Sequence, residues 1–147
     1  KKGNEEAKEA GLLLSSENME FDIVFTSVLK RAIDTMNICL NNMKSRNTEV
    51  FHDWRLNERH YGALQGLNKL ETAKKYGDEQ VLIWRRSYDI RPPHLEWEDK
   101  RHPRFDKKYN NLDNKDIPSS ECLKDTVQRF LPYWENTISP HVESGKK

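Results

Sequence analysis

The densest group of polar side chains in this sequence is Arg55-Leu56-Asn57-Glu58-Arg59-His60-Tyr61-Gly62, and Lys69 follows shortly after it. Arginine binds phosphate as a planar fork and lysine binds it as a point charge, so the segment is a candidate anion site. A carboxylate such as Glu58 among these cations can donate or accept a proton. The same residue types also suit a loop of surface ion pairs, and the residues alone leave both interpretations open.

Three arginines outside this segment are further candidates. Arg31 falls in the first turn of a predicted helix, where a cation opposes the helix dipole. It is either a solvated side chain or, with the free N–H groups of the preceding turn, an anion ligand at the carboxyl end of a strand. Arg85 and Arg86 follow Trp84 near the end of another predicted helix, where cations ordinarily stabilise the helix. A role in helix stability is therefore favoured over anion binding for these two arginines.

Other classes of site are disfavoured by spacing and charge. The five histidines have no metal-ligand spacing, and no glycine-rich phosphate loop is present, so we expect no metal and no nucleotide motif. The chain has 25 basic and 24 acidic residues, and acidic residues are interspersed among the aromatic and basic ones of 97–109. We therefore expect no nucleic-acid partner. No apolar run has the length of a membrane span, so no membrane partner is expected either.

The elements that must position these residues follow from periodicity. The hexamer Phe21–Thr26 is the one convincing candidate for a buried strand, and helical spacing follows from Leu29 with Ser27 placed as N-cap. A strand, a short turn and a helix form the repeating unit of parallel sheets, so the sequence predicts an α/β fold. Further helices are predicted at Asn4–Leu14, Leu70–Tyr76, Asp78–Tyr88 and from about Ser120 to Ile138, with a kink at Pro132.

The remaining segments read as loops within a single domain spanning residues 1–147. Residues 54–66 have no period and could line a site. Residues 91–118 combine prolines, charges and asparagines, which is typical of an excursion over the surface. Cys39 and Cys122 fall on apolar helical stripes without disulfide or metal spacing, so they are expected to be buried, reduced thiols of a cytoplasmic protein.

The apolar inventory is small for one domain. Apolar residues make up 35% of the 147 residues, or about 39% with the 6 glycines, against about 45–50% (glycine included) in ordinary domains, and charged residues make up 33% against about 25%. Either the protein is helix-rich and heavily solvated, or it is a segment of a longer chain whose apolar strands lie elsewhere. The start at Lys1 inside a predicted helix and the end at Lys147 without a closing element favour the segment.

Five blocks of the sequence closely resemble cofactor-dependent phosphoglycerate mutase, a family of the histidine phosphatase superfamily. The most specific block is the loop that contains Glu58, and all blocks occur in the family's order and spacing across essentially the whole chain. They are Trp54–Lys69, Thr26–Ala32, Trp84–Tyr88, Glu121–Thr126 and Leu131–Trp134.

The resemblance implies a mostly parallel sheet flanked by helices and the interconversion of 3-phosphoglycerate and 2-phosphoglycerate in glycolysis and gluconeogenesis. It assigns Glu58 as the proton donor and acceptor for the substrate hydroxyl. The positions that match those around the substrate's phosphates and carboxylate are Arg31, Arg59, His60, Tyr61, Lys69, Arg85 and Arg86. It also implies a phosphohistidine primed by 2,3-bisphosphoglycerate, small phosphorylated three-carbon acids as partners, and a homo-oligomer such as a dimer or tetramer.

The sequence departs from the family in one important respect. The family's Arg-His-Gly and later His-Gly motifs are absent, and the alignment places them upstream of Lys1 and downstream of Lys147. We therefore expect this to be the central part of the domain, inactive by itself. A smaller departure is Arg91, where the family often has an apolar residue or proline. The alternatives are a bisphosphoglycerate mutase, which Gln65 disfavours, and a non-catalytic, truncated anion-binding or interaction module.

Overall fold

The computed structural model describes residues 2–43 and 47–147, so Lys1 and residues 44–46 of the predicted domain lie outside the described residues. The chain divides into two compact units. The first contains the described residues up to Asn57 together with Phe130–Lys147, and the second contains Glu58–Arg129.

The first unit is built on a strand, helix, strand arrangement. Helix α1 (Lys2–Ser16) precedes strand β1 (Ile23–Thr26), helix α2 (Lys30–Asn42) and strand β2 (Glu49–His52). The two strands are parallel, with Ile23 opposite Glu49 and Thr26 opposite His52. The α/β fold class predicted from the sequence is therefore confirmed, in a small parallel sheet of two strands.

The sequence did not predict one strand of this unit, and it placed the N-cap of one helix at the wrong residue. Strand β2 was not predicted, because its four residues begin with Glu49 and end with His52, both exposed, and so form no apolar run. Helix α2 has Leu29, not Ser27, as its N-cap. The Ser27 hydroxyl instead accepts the N–H of Leu29 at 3.3 Å, one step before the helix begins.

Helix α1 lies directly against α2. Its buried positions are Ala7 and Gly11, and a Cβ on Gly11 would lie 2.5 Å from the carbonyl oxygen of Cys39. The thiol of Cys39 donates to the carbonyl of Ala7 at 3.1 Å. Both cysteines are free thiols as expected, although Cys122 is buried and Cys39 only half-buried.

The C-terminal helical segment changes its hydrogen-bonding pattern after a proline. Helix α5 (Leu123–Tyr133) contains Pro132, is followed by π-helical turns over Trp134–Ile138, and continues as helix α6 (Ser139–Glu143). Proline has no N–H to donate within a helix, which favours such irregular turns. The side-chain amide of Asn136 donates to the Pro132 carbonyl at 2.7 Å. The boundary between the two units falls within α5.

The second unit contains helices α3 (Lys69–Tyr76) and α4 (Asp78–Arg86), separated by Gly77 as predicted. Residues 91–118 contain no α-helix or strand, only three one-turn 3₁₀ helices at Pro103–Phe105, Lys107–Tyr109 and Asn114–Asp116. That these residues form an excursion from one domain stays a prediction. Among the described residues, no helix combines the length and the apolar character needed to cross a membrane.

Candidate functional site

The candidate site is centred on the loop formed by residues 58–66, called here the site loop. Its backbone is paired with two distant segments of the same unit. The N–H of Glu121 donates to the His60 carbonyl at 2.9 Å, and the N–H of His60 donates to the Glu121 carboxylate at 2.8 Å. The N–H of Ala63 donates to the Pro93 carbonyl at 2.8 Å. These bonds hold a loop that has little regular secondary structure of its own.

Gly62 lets the site loop approach these segments closely. Its φ of +57° lies in the left-handed region that disfavours residues with a Cβ. A Cβ at this position would lie 2.2 Å from the carbonyl oxygen of Pro93 and 2.8 Å from the hydroxyl oxygen of Ser120. Both the backbone conformation and the close contacts therefore require glycine.

Three of the predicted site residues form one cluster, which we call the arginine–tyrosine cluster: Arg59, Tyr61 and Arg85. The guanidinium carbons of Arg59 and Arg85 lie 4.8 Å and 5.3 Å from the centre of the Tyr61 ring. Arg59 also donates through Nη2 to the carbonyl of Arg85 at 2.5 Å. Two guanidinium groups on one ring concentrate positive charge, which a bound phosphate or carboxylate would offset.

The surroundings of His60, inside the same loop, favour its neutral form. Burial lowers the pKa of His60, and the positive charge of Arg129 lowers it further, although the carboxylate of Glu121 acts in the opposite direction. The Nδ1 atom accepts the N–H of Gly62 at 3.1 Å. Nδ1 therefore carries no proton, and neutral His60 has its proton on Nε2. His60 can offer a ligand a hydrogen-bond donor but no full charge.

A family model for the histidine phosphatase superfamily (branch 1) matches residues 1–99. The chain belongs to the histidine phosphatase superfamily. The matched range covers the arginine–tyrosine cluster, the whole site loop and helices α3 and α4. Membership in this superfamily supports phosphoryl transfer of the phosphatase or mutase type.

The other predicted site residues of this histidine phosphatase relative are exposed. Glu58 opens the site loop, Lys69 is the first residue of α3, and Arg86 is the last residue of α4. Within the second unit, no hydrogen bond or ion pair between described residues joins Lys69 or Arg86 to the arginine–tyrosine cluster. The structure therefore brings together Arg59, His60 and Tyr61 with Arg85, and leaves the roles of Glu58, Lys69 and Arg86 as predictions.

Arg31 belongs to the first unit, where it is the second residue of α2 and is exposed. Two N–H groups of the preceding turn, which the anion-binding alternative for Arg31 would use, already have partners. The N–H of Val28 already donates to the side-chain oxygen of Asn57 at 3.1 Å, and that of Leu29 donates to the Ser27 hydroxyl. These donors would have to exchange partners before they could bind an anion.

Arg55, which begins the polar segment in the sequence, is held by an ion pair. Its guanidinium donates from Nε and Nη2 to the two carboxylate oxygens of Asp53, at 2.9 Å and 2.7 Å, and lies 4.3 Å above the ring of Tyr133. The hydrogen bond to Asp53 raises the pKa of Arg55 further. For Arg55, the ion-pair interpretation of the segment is therefore the one that the structure supports.

The sequence did not reveal two supports of the site loop in this superfamily member. Glu121 forms a buried ion pair with Arg129, with 2.6 Å between Oε1 and Nε. Arg101 donates through Nη1 to the carbonyls of Ala63 and Gln65, at 3.2 Å and 3.0 Å. The only sequence feature that could have predicted the role of Glu121 was the family block that contains it. No sequence feature predicted the role of Arg101, since its bonds are to backbone atoms about 36–38 positions away.

The carboxylate of Asp99 holds Arg101 in this position. It accepts from Nε and Nη2 of Arg101 at 3.1 Å and 2.8 Å. These hydrogen bonds lower the pKa of Asp99 to about 2. Among residues 2–43 and 47–147, no group of three or more histidine, cysteine, aspartate or glutamate side chains is placed to hold a metal ion.

Proposed function

We propose that this histidine phosphatase relative supplies the acid–base group and the anion-binding residues of a phosphoglycerate mutase, which interconverts 3-phosphoglycerate and 2-phosphoglycerate. The observation that carries the proposal is the arginine–tyrosine cluster, in which Arg59 and Tyr61 of the loop that resembles the mutase motif meet Arg85 of α4. A substrate with one phosphate and one carboxylate needs several cations close together, and Arg59 and Arg85 provide two of them.

In this proposal, the cations act by position and by charge. Phosphoryl transfer requires little covalent chemistry from the protein beyond the group that carries the phosphoryl, and it gains most from positioning and from stabilised charge. Arg59 and Arg85 bind the phosphate oxygens as planar forks. Lys69 and Arg86, both exposed residues of the second unit, complete the proposed set of cations there, and a role for Arg31 stays a prediction from the resemblance.

Glu58 is the proposed acid–base residue. Its carboxylate accepts the proton of the substrate hydroxyl that receives the phosphoryl group. The protonated Glu58 then returns a proton to the substrate oxygen that has lost its phosphoryl group. The exposed position of Glu58 at the start of the site loop is compatible with access to a substrate hydroxyl. Neutral His60 can donate a hydrogen bond from Nε2 to the substrate but contributes no positive charge.

The proposal also includes a phosphohistidine. None of the five histidines matches the family's Arg-His-Gly or His-Gly motif, so the proposal places the phosphorylated histidine outside this sequence. 2,3-Bisphosphoglycerate, the cofactor implied by the resemblance, would supply the phosphoryl group that primes it. The donor chemistry of Arg59, Tyr61 and Arg85 fits such a polyanion, since it combines two guanidinium groups with a phenol hydroxyl.

Glu58→Gln in the full-length protein tests the acid–base assignment. Glutamine keeps the size of the side chain but cannot exchange a proton, so kcat for 3-phosphoglycerate should fall about 10²–10⁴-fold while KM stays close to the wild-type value. Glu79→Gln on the exposed first turn of α4 is the matched control and should leave kcat unchanged.

Three results would contradict the proposal in different ways. A normal kcat for Glu58→Gln would exclude Glu58 as the acid–base group. Net production of 2,3-bisphosphoglycerate in place of 2-phosphoglycerate would indicate a bisphosphoglycerate mutase. Binding of 3-phosphoglycerate without any turnover by the full-length wild-type protein would indicate a non-catalytic anion-binding module.

A further inference from the structure

One residue holds both peptide groups that flank His60 in the site loop. The carboxylate of Glu121 accepts the His60 N–H at 2.8 Å, and the Glu121 N–H donates to the His60 carbonyl at 2.9 Å. The first of these groups belongs to the peptide that links Arg59 to His60, and the second to the peptide that links His60 to Tyr61. Because each peptide group is planar, these two bonds restrict the backbone between Arg59 and Tyr61.

The carboxylate that makes this contact is itself fixed. Oε1 of Glu121 accepts from Nε of Arg129 at 2.6 Å, and Oε2 accepts from Nη2 at 3.1 Å as well as from the His60 N–H. The side chains of Glu121 and Arg129 are only 7% and 9% exposed. Charge-assisted bonds of this kind are stronger than neutral ones, and burial shields them from water.

We propose that Glu121 is a positioning residue for anion binding, because it sets the spacing and direction of Arg59 and Tyr61 through the two peptide groups between them. The inference rests on the proposed function, since it assumes that the arginine–tyrosine cluster binds the substrate phosphate. The Arg85 guanidinium lies over the Tyr61 ring and Arg59 donates to the Arg85 carbonyl, so both contacts depend on the backbone path through residue 60. Small displacements of groups that bind a reacting phosphate reduce turnover strongly.

A single substitution is a poor test, because it leaves one buried charge without its partner and the protein could unfold. Two double variants avoid this problem. Glu121→Met with Arg129→Met removes both charges and the acceptor for the His60 N–H, whereas Glu121→Gln with Arg129→Met also removes both charges but keeps an amide oxygen as acceptor. Apolar replacement of a buried ion pair is often tolerated. The two proteins differ only in whether residue 121 can bind the His60 N–H.

We expect the variant with methionine at position 121 to have a kcat at least about tenfold below that of the variant with glutamine, measured with 3-phosphoglycerate at a temperature at which both are folded. The glutamine variant should stay within a few-fold of the wild-type kcat. The amide hydrogen of His60 should exchange faster in the methionine variant, which a purely structural role of the ion pair would not produce.

Equal kcat values for the two folded double variants would overturn the inference and leave the proposed function intact. Absence of turnover in the full-length wild-type protein, in which all of these variants are made, would overturn the proposed function, and this inference with it. If the methionine variant does not fold, Glu121→Asn with Arg129→Met replaces it, since asparagine keeps the amide but is one methylene too short to reach the His60 N–H.

Discussion

Replacing Gly62 by alanine perturbs the site loop at its closest contact. The added Cβ would lie 2.2 Å from the carbonyl oxygen of Pro93 and 2.8 Å from the hydroxyl oxygen of Ser120. Neither atom can move away freely. The Pro93 carbonyl accepts the N–H of Ala63 at 2.8 Å, and the Ser120 hydroxyl donates to the carbonyl of Pro92 at 2.6 Å. The clash must therefore move backbone that supports the site.

Three terms determine the size of the effect. An alanine at a φ of +57° costs about 1–2 kcal/mol. Forcing a methyl group into a packed region costs about 1–3 kcal/mol. The reduced freedom of alanine in the unfolded chain returns about 0.4–1 kcal/mol. The Gly62→Ala protein should therefore lose about 1–5 kcal/mol of the free energy of unfolding, with a middle value of about 3 kcal/mol, a large part of the 5–15 kcal/mol that domains typically have.

Gly66 offers a matched control in the same loop. Its φ is +74°, but no atom outside its chain neighbours lies within 4 Å of the position of a Cβ. Gly66→Ala should therefore cost only about 1 kcal/mol, from the backbone conformation alone. Urea unfolding followed by the fluorescence of the four tryptophans would measure both values. If both substitutions cost the same, the contacts with Pro93 and Ser120 do not constrain the site loop, and the reasoning is wrong.

Two further predictions concern pH and the start of α5. Burial lowers the pKa of both His60 and His102, so below about pH 6.5 the unfolded chain binds more protons than the folded one. The free energy of unfolding should therefore fall as the pH is lowered from 7 to 5.5, by at most about 1.4 kcal/mol per pH unit for each histidine. Urea unfolding at each pH measures this change, and a free energy of unfolding that stays constant over this range would contradict the prediction. The carboxylate of Asp125 accepts hydrogen bonds from Arg91 and, at 2.8 Å, from the N–H of Cys122 at the start of α5. Asp125→Ala should therefore lower the free energy of unfolding by about 1–2 kcal/mol. Arg91→Ala removes only the half-exposed arginine and should lower the free energy of unfolding by about 0.2–1 kcal/mol. If the two substitutions lower it equally, the hydrogen bond from the Cys122 N–H to Asp125 contributes nothing.

Local patterns in the sequence predicted most of the helices and one of the two strands. The apolar spacing from Leu29 onward places α2, and Gly77 separates α3 from α4 because glycine accepts the φ of +83° found there. These features depend on neighbours within about one helical turn, which is the distance over which periodicity carries information. Strand β2 was not predicted because only two of its four residues, Val50 and Phe51, are apolar.

The sequence by itself also determined which residue types meet at the site, since Arg59, His60 and Tyr61 are consecutive in a motif of high specificity. Only the tertiary structure decided that Arg85 joins them and that Glu121, 61 positions away, holds the backbone between them. It also decided that Nδ1 of His60 accepts a hydrogen bond, so that the neutral ring carries its proton on Nε2. Contacts over such separations depend on the path of the chain, and spacing along the sequence does not record that path.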